Sequence, residues 1–224
     1  MQKLNLIFED NHIIVVEKPV NIPSQQDKTG DIDMITIIKE YLKEKYNKPG
    51  NVYLGLVHRL DRPVGGVMVF AKTSKAAARL SEQVRNKELK KTYLAIVDGK
   101  FEEKNGVLEN YLLKNERTNT SKIVEEGTKN SKYAKLEYDV LKYNEETNLS
   151  LVKIKLHTGR HHQIRVQFAG IKHSLYGDQK YGTRGRGKQI CLWANELSFK
   201  HPISKEYVTF KSIPEITNSW IIMK

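Results

Sequence analysis

One stretch limits the possible folds more than any other: Val57–Thr73, which reads VHRLDRPVGGVMVFAKT. Its second half, Val67–Ala71, is apolar at every position, so as a strand it has no polar face to offer water and belongs inside a covered sheet. Its first half is charged, with Asp61 bracketed by Arg59 and Arg62. Pro63, Gly65 and Gly66 force a turn between the halves. The result is a single carboxylate on a tight turn at the mouth of a buried strand. Two readings follow. Asp61 is an ordinary turn residue that accepts backbone N–H bonds, or it is a carboxylate fixed against a substrate.

The rest of the chain fits a mixed architecture. Leu4–Phe8 and His12–Lys18 read as two strands around Glu9-Asp10-Asn11, the second with a continuous apolar centre. Asp33 is placed to cap a helix over Met34–Tyr46, with Ile35, Ile38, Leu42 and Tyr46 at helical spacing. Ser74 is the expected cap of a second helix reaching about Arg85. Strands are expected over Lys87–Val97, Tyr133–Tyr143 and Leu149–Leu156, and a short helix over Arg160–Ala169. Closing strands are expected over Gln189–Phe199 and Glu206–Lys211. Phe101–Tyr133 is polar and weakly patterned, readable as two or three hairpin strands or as a mobile flap. Hairpins dominate, so the fold class is α+β rather than a parallel α/β sheet. No compositional break suggests a linker, and a single domain over residues 1–224 is expected.

Charge narrows the partner. The formal net charge of the 224 residues is +12. Between Leu151 and Ile190 nine basic residues face one acid, Asp178, interleaved with His157, His161, His162, His173, Tyr176 and Tyr181. Cations among aromatic rings suit phosphate contacts and base stacking, so RNA or another polyanion is the expected partner and a solvated charged face the plainer alternative. A single cysteine, Cys191, rules out an intramolecular disulfide and a cysteine zinc cluster. With no signal peptide or spanning apolar run, a cytoplasmic location is expected and a membrane partner is not. His157 and His161 are four apart, but Thr158-Gly159 breaks the helix a metal pair would need, so no metal site is expected. Gly182–Gln189 approaches a phosphate-binding loop, yet Gln189 stands where a magnesium-binding Ser or Thr belongs. A carboxylate within a polyanion-binding surface can act as nucleophile or base toward a nucleotide. Arg165 is a candidate partner to keep Asp61 ionised and oriented.

Four blocks in order resemble the RluA-type pseudouridine synthase family over nearly the whole chain. They are IFEDNHIIVVEKPVNIPS (Ile7–Ser24), HRLDRPVGGVMVFAKT (His58–Thr73), KKTYLAIVDG (Lys90–Gly99), and HTGRHHQIRVQFA (His157–Ala169) with YGDQKYG (Tyr176–Gly182). The resemblance implies a large, mostly antiparallel mixed sheet in two halves flanked by helices, with the active-site cleft between the halves. It implies isomerisation of uridine to pseudouridine in ribosomal or transfer RNA, with no metal or organic cofactor. Asp61 would be the catalytic aspartate, Tyr93 would stack on the target base, and Arg165 would pair with Asp61. Arg59 would help displace the base, and Arg160, His162 and Gln163 would shape the pocket or hold backbone. His58, Arg62, Lys180, Arg184, Arg186 and Lys188 complete the expected RNA contacts. Pro63-Val64-Gly65-Gly66 and His173-Ser174-Leu175 depart from commoner family sequences, which points to a shifted RNA preference. An N-terminal S4-type RNA-binding module is not expected, and a monomer is. A non-catalytic RNA-binding or ribosome-assembly protein on the same fold is the alternative, and loss of Asp61 separates the two.

Overall fold

A computed structural model gives the fold for residues 4–182 and 187–223. In chain order its elements are β1 (Asn5–Glu9), β2 (Ile13–Lys18), α1 (Met34–Lys45), β3 (Gly55–Leu56), β4 (Gly65–Ala71), α2 (Ser74–Arg85), β5 (Lys90–Asp98), β6 (Asn105–Asn115), β7 (Thr120–Val124), β8 (Lys132–Asn144), β9 (Leu149–Leu156), α3 (Gln163–Gly170), β10 (Leu192–Lys200) and β11 (Tyr207–Lys211), then a 3-10 turn over Asn218–Met223. Contacts divide the chain into two compact units, Met1–Lys90 with Ala194–Ile213 and Lys91–Trp193 with Pro214–Lys224. Two of the boundaries fall within β5 and β10, where composition shows no break.

In the first unit the strands run in the order β1, β2, β4, β10, with β11 paired to β10 and β3 to the end of β4. β2 and β4 pair antiparallel, Val15 opposite Val69 and Lys18 opposite Gly66. Every residue of β4 is buried, as its sequence requires. One face of this sheet (Ile13, Val15, Val67, Val69, Leu197 and Phe199) receives Ala76 and Leu80 of α2. Each such aliphatic or aromatic side chain contributes roughly 1.5–3 kcal/mol by leaving water. Gly66 has φ +120, and a Cβ there would lie 2.3 Å from the Ala194 carbonyl oxygen. Only glycine lets the turn after Asp61 run so close to β10.

The helices correct the sequence reading in detail. Asp33 does cap α1, accepting from the N–H groups of Ile35 and Thr36. The buried face is Met34, Ile37, Ile38 and Leu42, whereas Tyr46 lies outside the helix with its hydroxyl on Glu9. Glu9 also binds Lys45 and Lys72, and these partners outweigh its burial and lower its pKa to about 2. Thr73, not Ser74, caps α2, because Thr73 keeps extended backbone while its hydroxyl accepts from Ala76 N–H.

In the second unit the order is β5, β9, β8, β6, β7, all antiparallel. One face carries Leu94, Ile96, Leu151, Cys191 and Trp193, covered by Trp220 and Ile222. The other receives α3, where Val166 meets Leu112 and Ala134, and Phe168 meets Tyr138 edge-on. The polar Phe101–Tyr133 region is mainly the β6–β7 hairpin and is tied down rather than left as a flap. Gln167 donates to the Leu108 carbonyl and to Asn110, and Lys180 donates to the Asn119 carbonyl. α3 begins at Gln163, three residues later than expected. His162 takes the left-handed conformation at φ 53, and the Gln163 amide holds the preceding turn in place. Among the described residues no helix is long and apolar enough to cross a membrane.

Candidate active site

The chain around Asp61 is held from both sides by side chains of an earlier segment. Upstream, Ser24 Oγ donates to the Leu60 carbonyl and accepts from the Leu60 N–H. Downstream, Lys18 Nζ donates to the carbonyls of Arg62 and Pro19. Val64 N–H closes the turn onto the Asp61 carbonyl at 2.9 Å. His58 is buried, and its Nε2 accepts from Val69 N–H, tying the start of the motif to β4. Alternation then turns Arg59 to solvent and Leu60 inward, and leaves Asp61 half-buried. A carboxylate on a backbone fixed at both neighbours is pre-positioned, as catalysis on a bound substrate requires.

Lys18 is fully enclosed. Burial lowers its pKa to about 7, against the opposing pull of the Asp61 charge. Neither Lys18 nor Ser24 stands out in the sequence as a site residue. The available signal was a lysine closing an apolar strand directly before Pro19. A consequence can be measured. Between about pH 7 and the ordinary lysine value of 10.5 the unfolded chain holds a proton that the folded one has released. The cost of burying Lys18 charged is complete below that window and is relieved as pH rises through it. Stability relative to Lys18→Met is therefore expected to increase by at most about 1.4 kcal/mol per pH unit there. Urea unfolding of both proteins at several pH values reads this, and a pH-independent difference would refute the titration.

Arg62 is engaged inside the unit. Its guanidinium donates to the Asn21 carbonyl and to Thr29 Oγ1, and it forms an ion pair with Asp31, with Asp27 at 3.6 Å. These partners raise its pKa. An RNA contact by Arg62 would have to compete with them. Among the described residues Arg59 has no such network, and it is exposed.

In the second unit Tyr93 sits on β5, opposite Ile154, and is buried. Arg165 is buried on α3 and meets Asp178 through two bonds, Nε to Oδ2 at 2.8 Å and Nη2 to Oδ1 at 2.7 Å. Asp178 Oδ1 also accepts the N–H groups of Lys180 and Tyr181. Such a fork-to-fork pair fixes the plane of the guanidinium. Asp178, the lone acid in a basic stretch of the sequence, is the orienting partner of Arg165. The guanidinium also lies over the Tyr181 ring at 5.2 Å. Tyr181 OH accepts from Ser121 N–H and lies 2.8 Å from His162 Nδ1. Burial, reinforced by Arg165 and His161, drives His162 down to about 2 and keeps it neutral.

The expected RNA contacts separate into two groups. Gln163 is buried and uses its amide internally, on Thr158, Arg160 N–H, the Lys135 carbonyl and Gln167. Gln163, His58 and His162 thus hold the fold of the site. Arg160, Lys180 and Lys188 are exposed. Arg184 and Arg186 lie outside the described residues. His157 pairs with Glu137 and His161 with Ser121, so the spacing that suggested a metal pair serves separate contacts.

The fold matches the structure of human RNA pseudouridylate synthase domain containing 4, with a TM-score of 0.80 over 97% of this chain and 91% of that one, at 22% identity. At that identity the likeness shows the fold alone. In sequence, residues 12–170 match the family model described as RNA pseudouridylate synthase. The chain belongs to this family of isomerases, which convert uridine in RNA to pseudouridine, and falls with its RluA-type members. It is 32% identical to the dual-specificity RNA pseudouridine synthase RluA of Pasteurella multocida, over 94% of this chain and 93% of that one. It is 34% identical to the uncharacterized RNA pseudouridine synthase YhcT of Bacillus subtilis, covering 92% of this chain and 67% of the relative. A third relative is ribosomal large subunit pseudouridine synthase C of Haemophilus influenzae, 33% identical, of which the chain covers 64%. The chain thus spans about two thirds of the length of several relatives it matches.

Proposed function

We propose that this protein isomerises specific uridines in structured ribosomal or transfer RNA, with Asp61 as its catalytic carboxylate. It acts as a monomeric cytoplasmic enzyme. The observation that carries this reading is the double clamp on the Asp61 turn, Ser24 at Leu60 and Lys18 at Arg62, within a chain of this family. In the reaction the N1–C1′ bond of the uridine breaks, the uracil turns, and a C5–C1′ bond forms. The C5 proton is lost and N1 gains one, so no redox partner is needed. Asp61 supplies the negative group that the detached sugar carbon requires. Arg165, aimed by Asp178, is its electrostatic partner, and Tyr93 stacks on the uracil and assists removal of the C5 proton. The target base must leave its helix at a cost of a few kcal/mol, least in a loop or mismatch. Contacts from Arg59, Arg160, Lys180 and Lys188 offset that cost and make binding fall steeply with salt.

The direct test compares pseudouridines in total RNA from cells with and without the protein, then repeats the conversion with purified protein on RNA from the deficient cells. Conversion at a small set of uridines is expected, and none at all would overturn the reading. Tyr93→Phe keeps the ring and removes the hydroxyl. Stacking energy of about 1–3 kcal/mol should survive, so KM is expected to hold while kcat falls roughly ten-fold or more. An unchanged kcat would remove the hydroxyl from proton transfer.

A further inference from the structure

Lys91 is a cation that the fold leaves without a hydrogen-bond acceptor among the described residues. It stands on β5 two residues before Tyr93, so both side chains leave the same face of the strand, about 7 Å apart along it. That face is the one α3 covers further along, where Val166 meets the neighbouring strands. Opposite Lys91 on β9 is Leu156, the last residue before the turn His157-Thr158-Gly159. The side chain reaches toward that turn, and a carbon added at Gly159 would lie 3.9 Å from Lys91 Nζ. Beyond the glycine comes Arg160, exposed and anchored by its Nε to the Tyr133 carbonyl. Among the described residues no carboxylate, carbonyl or hydroxyl binds the Lys91 ammonium, although the side chain is half-buried. Desolvation alone lowers its pKa to about 8.

A lysine kept partly dry without an acceptor weakens the fold, because an enclosed charge ordinarily has a partner. Other lysines here do find one: Lys18 binds two carbonyls, Lys72 binds Glu9 and the Asp10 carbonyl, and Lys180 binds Asn119. Lys91 differs in lying beside an exposed glycine, Gly159, with a second cation, exposed Arg160, next in the chain. An acceptor that arrives from outside, is compact, anionic and able to lie between an ammonium and a guanidinium is a phosphodiester.

We propose that Lys91, with Arg160, holds an RNA phosphate next to the target uridine, so that the nucleotide is gripped by its backbone while Tyr93 receives its base. This rests on the function proposed above and adds to it the residue that sets where the backbone enters. Lys91 is a binding residue and takes no part in bond exchange.

Total RNA from cells lacking the protein serves as the probe. Lys91→Met is expected to weaken binding of this RNA roughly ten-fold at moderate salt and to lower the slope of log K against log salt by about 0.7–0.9, one phosphate contact. Lys91→Arg should keep the slope. Because the substitution removes a desolvated charge, Lys91→Met should unfold at a denaturant concentration no lower than wild type, which a lysine serving only the fold would not allow. An unchanged salt slope, or a slope lost equally in the arginine variant, overturns the proposal. The position is read by ethylating the phosphates of the same RNA before conversion. Ethylation of one phosphate beside the converted uridine should block the wild type and make little difference to Lys91→Met, and equal blockage in both overturns the assignment. Failure of the wild type to form pseudouridine would instead sink the catalytic reading, and the binding slope would still decide Lys91.

Discussion

Replacing Asp61 with asparagine is expected to abolish pseudouridine formation while leaving RNA affinity nearly intact. Asparagine has the same shape and can still accept a hydrogen bond, but it carries no charge and is a far weaker nucleophile and base. The backbone contacts that hold the turn come from Ser24, Lys18 and the Val64 N–H, all directed at main-chain atoms, so they survive the change. Loss of a reacting carboxylate should lower kcat by at least about 10³-fold. Binding, dominated by phosphate contacts, should shift by less than about two-fold. Measured turnover and filter binding on one RNA preparation separate the two quantities. Residual turnover near the wild-type rate would show that the reaction does not pass through this carboxylate, and the RNA-binding alternative would gain if wild type were equally inactive.

The second large effect is on stability. Asp178→Ala leaves the buried Arg165 guanidinium without the partner that takes two of its bonds, and leaves the N–H groups of Lys180 and Tyr181 unserved. Breaking one half of a buried pair costs about 3–5 kcal/mol, since the surviving charge stays desolvated. A fall in melting temperature of roughly 10 °C is the expected scale for a chain of this size. Asp178→Asn should fall between, because the amide oxygen can still accept. If calorimetry showed Asp178→Ala within about 1 kcal/mol of wild type, the pair would not be what positions Arg165. Activity should drop with Asp178→Asn even under conditions where the protein is fully folded, because the guanidinium is no longer held in one plane.

What the sequence made legible was local. Five apolar residues in a row fixed β4 as a buried strand, Asp33 announced the start of α1, and the Pro-Gly turn located Asp61. The four blocks pointed to the family. What it concealed was the set of long-range contacts to main-chain atoms. Ser24 meets Leu60 across 36 positions and Lys18 meets Arg62 across 44, and no periodicity records a side chain that binds a distant carbonyl. Asp178 was visible but its meaning was not, because a lone acid among nine cations looks the same whether it is exposed or paired. The start of α3 was misplaced for a similar reason. A non-glycine residue in left-handed backbone, His162, is paid no attention by propensity, and the turn before it depends on the buried Gln163 amide.

The seat of the β6–β7 hairpin has a practical consequence for redesign. Two of its anchors to the helical side are made by backbone: the Ser121 N–H on Tyr181 and the Asn119 carbonyl on Lys180. Backbone anchors are indifferent to most side-chain identities, but two tip residues are not interchangeable: Asn119 holds φ 49, and Asn115 Oδ1 accepts from the Arg117 and Thr118 N–H groups. Inserting or deleting a single residue between 115 and 120 would disturb the turn that presents the Asn119 carbonyl to Lys180. Libraries meant to alter which RNA is accepted should therefore vary residues 116–118, keep Asn115 and Asn119, and hold the residue count constant.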